Sequence, residues 1–96
     1  MLSKIPLNLG KVSKEALGLE ILRSAIIAEL DAINLYEQMA AMTEDEKLKK
    51  ILFEVAKEEK THVGEFQALL LEKDREQVEE LAEGKREVEE LTQKRT

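Results

Sequence analysis

Met42-Thr43-Glu44-Asp45-Glu46 is the stretch that decides the fold. A threonine followed three residues later by a glutamate is a capping box, which starts a helix by satisfying otherwise free backbone N–H groups. Acidic residues in that first turn suit the positive end of the helix dipole. Before the turn, Leu22, Ile26, Glu29, Ile33, Tyr36 and Ala40 follow one another in steps of three and four. After it, Leu48, Leu52, Val55, Glu59, His62, Phe66 and Leu69 do the same. That spacing marks a helix face packed on a partner helix. Two long helices joined by so short a turn form an antiparallel hairpin.

Outward from the turn, the first helix is expected from Ser13, a suitable N-cap, to about residue 42, with Gly18 loosening its first turns. The second is expected over residues 44–73, with Thr43 as its N-cap. Asp74 and Gln77 offer another capping box for a third helix carrying Val78, Leu81 and Ala82. Gly84 is expected to interrupt it, with Val88 and Leu91 on a last amphipathic segment. Residues 1–12 hold the only proline, Pro6, and read as an irregular arm. The chain is thus expected to be all-α: an arm over 1–12, a hairpin over 13–73 and a short C-terminal helical segment over 74–96.

The composition agrees. In 96 residues there are one tyrosine, two phenylalanines and four glycines, and such a Glu-, Lys-, Leu- and Ala-rich chain favours helices. A chain of this size buries little core alone, so oligomerisation would help it. A net charge of −6 argues against nucleic acid, which needs a basic footprint. The absence of cysteine excludes disulfides and thiolate metal sites. No apolar run suits a signal peptide or a membrane span, so the expectation is a soluble, cytoplasmic protein.

Glu29, Glu59 and His62 interrupt the two seams where Leu or Ile belongs. An unpaired carboxylate on a packed seam is costly, so such positions need a compensating partner. A divalent metal would serve all three, and His62 is the only histidine. Glu29 lies 14 residues before Thr43 and Glu59 lies 16 after it, which places them at similar heights above the turn. Glu59 and His62, three apart, share a face. One hairpin therefore gathers three ligands. Di-iron carboxylate bundles use one Glu from each of two helices and Glu-x-x-His from each of the other two. A symmetric dimer of this hairpin supplies that set, and its four carboxylates balance two divalent cations. Glutamate with neutral imidazole suits iron, manganese or zinc rather than calcium.

Ala28-Glu29-Leu30-Asp31-Ala32-Ile33-Asn34-Leu35-Tyr36-Glu37-Gln38 resembles the first metal helix of the encapsulated ferritins, and Glu58-Glu59-Lys60-Thr61-His62 resembles their second. The resemblance covers about residues 22–71. It is nearest to the ferritin-like domain that some archaea fuse ahead of an encapsulin shell protein. It implies a ferritin-like four-helix bundle formed on dimerisation, with two irons per dimer held by Glu29, Glu59 and His62. It also places Tyr36 beside the site. The implied activity is that of a ferroxidase, which converts Fe(II) to Fe(III) for storage inside an encapsulin nanocompartment. The implied assembly is a homodimer built into a decameric ring. Of the acidic patch that leads iron inward in the family, Asp31 matches, while Ala28 and Leu35 replace an acid and a tryptophan. Free-standing members usually end in a shell-targeting peptide, and none is visible after Leu91; the chain is then either a domain cut from a fused protein or one that is not encapsulated.

Blander readings stand beside these. Tyr36 on a seam is as readily plain core, with its hydroxyl finding one hydrogen bond. Asp31, Glu58 and Glu65 are ordinary residues of a solvated face, and Met39 and Met42 fill space near the turn. Two rival functions follow: rubrerythrin-like scavenging of oxygen or peroxide, and a non-catalytic assembly module in which the seam's polar groups fix register.

Overall fold

The computed structural model describes residues 13–93. The arm expected over residues 1–12 lies outside them. The described residues form three α-helices in the order α1 (Lys14–Met42), α2 (Glu46–Lys73) and α3 (Arg75–Thr92), with no strand among them.

Ser13 caps α1: its Oγ accepts from the Ala16 N–H at 3.2 Å, and Glu15 adds negative charge to the first turn. Gly18 is helical and does not break the run. The helix ends at Thr43, whose backbone is extended.

At the hairpin turn the expected cap is displaced by two residues. Asp45, not Thr43, caps α2: its Oδ1 accepts from the N–H groups of Lys47 at 3.0 Å and Leu48 at 3.2 Å. The Thr43 hydroxyl instead accepts from the Asp45 N–H at 3.1 Å, and Glu46 is the first helical residue. A carboxylate accepts more strongly than a hydroxyl and also meets the helix dipole, so the register ending in Asp45 prevails.

Gly84, expected to interrupt the third helix, does not do so, and α3 continues unbroken through it. A glycine inside a helix costs about 1 kcal/mol relative to alanine, which flanking helix formers can absorb. Arg86 pairs with both Glu83 and Glu90 across this stretch, adding support of the kind seen between residues one turn apart. At the start of α3, half of the expected capping box is present: Asp74 Oδ1 accepts from the Gln77 N–H at 3.0 Å, while the Asp74 N–H donates to the Leu70 carbonyl at 2.9 Å.

Helices α1 and α2 pack along one another. Every position of the first seam is buried or half-buried, with Leu22, Ile33 and Ala40 fully so. The second seam drifts. Leu48 and Leu69 are exposed, and the fully buried residues of α2 are Ala56 and Leu70, each one position past a seam residue. A straight α-helix rotates away from a strict heptad, so a seam written in steps of three and four walks off the contact at both ends.

The contact holds five fully buried apolar residues among those described, none of them on α3. Large apolar side chains remain exposed on all three helices, including Ile27, Leu30, Ile51, Phe53, Val88 and Leu91. The radius of gyration is 17.2 Å. A compact chain of this length would have roughly 12–13 Å. Extents of 53 × 45 × 20 Å match a hairpin from which α3 departs sideways. Such a surface calls for a partner.

Candidate metal centre

Glu29 projects from the middle of α1, and Glu59 and His62 project one turn apart from α2. The structure brings one ligand atom from each of the three within 4.8 Å of the others. His62 Nδ1 lies 3.1 Å from Glu29 Oε2 across the hairpin and 3.5 Å from Glu59 Oε1 on its own helix. The fixed rise of the helix brings residues 14 and 16 positions from Thr43 to one level.

The side chains of Glu29 and Glu59 are 20% and 17% exposed, and that of His62 is 44% exposed. The carboxylates are therefore sheltered while one side of the group stays open. Their proximity shifts proton affinities. A hydrogen bond with Glu29 raises the Glu59 carboxyl above its ordinary value, helped by burial and by the charge of Glu29. Hydrogen bonding to Glu29 raises His62 as well, and the negative charges of Glu29, Glu59 and Glu65 add to it. Protons thus offset a concentration of negative charge that a metal cation could neutralise instead. Two carboxylates and an imidazole are also a donor set that suits iron, so the residues fit the group.

Tyr36 is half-buried on α1, two turns from Glu29, and no hydrogen bond between its hydroxyl and the three residues occurs among those described. Asp31 is half-buried near Glu29 on the same helix. Glu58 adjoins Glu59 and raises it through its charge. Sequence reasoning missed two ion pairs that join helices. Lys60 Nζ meets Glu37 Oε2 at 3.3 Å, and Arg23 reaches Asp74 at 3.0 Å. Nothing local signals either one, since the partners are far apart in the chain.

Residues 7–91 match the EncFtn-like family. The chain belongs to that family. A ferritin-like-encapsulin shell fusion protein of Pyrococcus furiosus is 69% identical over 80 residues, which cover 83% of this chain. The chain spans 23% of that relative's length. The crystal structure of an encapsulated ferritin domain from Pyrococcus furiosus superimposes with a TM-score of 0.84 at 54% identity. That match covers 97% of this chain and all of the other. The resemblance read from residues 22–71 is therefore borne out, and this EncFtn-like chain has the fold of an encapsulated ferritin domain. No helix among the described residues is long and apolar enough to cross a membrane.

Proposed function

We propose that this chain is half of a ferroxidase, oxidising Fe(II) to Fe(III) at a di-iron site shared by two copies. One observation carries the reading: Glu29, Glu59 and His62 converge within 4.8 Å on one hairpin. Three ligands leave coordination positions open. A second copy related by a two-fold axis would bring the same three residues, giving four carboxylates and two imidazoles around two irons. The exposed apolar side chains of the hairpin supply a reason for two copies to associate.

Ferrous iron is the substrate here. Glu29 and Glu59 would hold and bridge the two ions, with His62 capping each. Two irons about 3.5–4 Å apart can each give one electron, so that dioxygen takes up two electrons and two protons to leave as hydrogen peroxide. The carboxylates favour the ferric product by charge. Tyr36 would steady the site from beside it, and Asp31 would help draw cations in. A helical hairpin with one further helix leaning away from it encloses no storage cavity, so the product must pass to another compartment. The fusion of the Pyrococcus furiosus relative to an encapsulin shell supports a shell interior as that compartment.

The assembly-module reading has its own support, because His62 already lies within 3.1 Å of Glu29 and 3.5 Å of Glu59, so the three partner one another without a metal. The initial rate of Fe(II) oxidation in air separates the two. The full chain should oxidise iron well above the buffer background, and Glu59→Ala should fall to that background. Equal rates would overturn the ferroxidase reading and leave the register role.

A further inference from the structure

Helix α3 leaves the hairpin through a joint of one residue. Asp74 ends α2, where its N–H donates to the Leu70 carbonyl at 2.9 Å. It also starts α3, where its Oδ1 accepts from the Gln77 N–H at 3.0 Å. With regular helix on both sides, the direction of α3 depends on the two backbone dihedrals of this residue, φ −126° and ψ 91°. Little else restrains it: α3 touches α2 sparingly and buries no residue.

The other oxygen of Asp74 is taken by α1. Arg23 donates to Asp74 Oδ2 at 3.0 Å, reaching across 51 positions of sequence. The Asp74 side chain is 15% exposed and that of Arg23 is 49% exposed, so the carboxylate sits in the shelter of the corner. One carboxylate thus caps α3 with one oxygen and fastens the joint to α1 with the other.

We infer that the Arg23–Asp74 pair is a latch that fixes the direction in which α3 leaves the hairpin. It stands apart from the iron chemistry, since neither residue belongs to the metal centre. Its effect is on presentation. Leu81, Val88 and Leu91 are exposed on α3, and the latch decides where they point.

The absence of cysteine permits spin labels at two chosen positions of the full chain. Lys50→Cys on α2 and Glu87→Cys on α3 replace exposed residues. Labelled chains diluted with unlabelled ones then give the intramolecular distance distribution by pulsed electron resonance. Asp74→Asn keeps an N-cap oxygen but removes the charge, so α3 still forms, and Arg23→Gln removes the other half. Each variant should raise the population of chains outside the parent distance peak by up to about fivefold, with helix content by circular dichroism unchanged. The double variant should be no worse than either single one. A parent-like distribution in either single variant would overturn the latch.

Discussion

Nδ1 of His62 on α2 lies 3.1 Å from Oε2 of Glu29 on α1, which ties the two helices together at the level of the proposed metal centre. The same contact raises His62 above its ordinary value of 6.5, and hydrogen bonding to Glu29 raises Glu59 above 4.5. A group raised on folding stabilises fully below its unfolded value and loses that contribution as pH climbs through the folded one.

For the metal-free protein both groups act in the same sense. Stability should fall as pH rises, first above 4.5 as Glu59 loses its proton and then above 6.5 as His62 does. Glu83 acts oppositely: Arg86 lowers it, so its contribution is lost only as pH falls below 4.5. Ferrous iron must displace the protons at Glu59 and His62, so iron affinity should rise over the same interval. Urea unfolding of the metal-free chain at several pH values, beside anaerobic Fe(II) titrations, checks both signs. Iron affinity independent of pH would contradict the assignment of these ligands.

Replacing both carboxylates with leucine restores the apolar seam. Glu29→Leu with Glu59→Leu should abolish iron oxidation and stabilise the metal-free chain by roughly 1 kcal/mol, about 4–8 °C in Tm. Retained oxidation would place the chemistry elsewhere. A stable variant with a new oligomeric state would instead favour the register role.

The hairpin turn predicts an inequality. Asp45 accepts from two N–H groups at the start of α2, whereas Thr43 accepts from one. Asp45→Ala should cost about 1 kcal/mol and Thr43→Ala distinctly less. Thermal unfolding of the two variants measures it, and the reverse order would restore Thr43 as the cap.

The hairpin was legible because its signals are local or metrical. Steps of three and four identify the faces, and the fixed rise per residue sets Glu29 level with Glu59. Other features depended on choices that a sequence leaves open. Thr43-Glu44-Asp45-Glu46 contains two overlapping cap registers, and the strength of the carboxylate selected the later one. Leu69 and Leu70 are equally apolar, and only the rotation of the packed helix decides that Leu70 goes inside. Gly84 reads as a break until the Arg86 pairs are seen. Arg23 and Asp74 carry no mark of their contact, which tertiary structure alone creates.

On the proposed reading, one chain carries half a metal site and a second copy completes it. Native mass spectrometry of the full chain with Fe(II) under anaerobic conditions tests it most directly. Two irons should bind for every two chains, only on dimers and their multiples, and should be lost in Glu59→Ala. Iron retained on single chains, or the same iron count in Glu59→Ala, would contradict it.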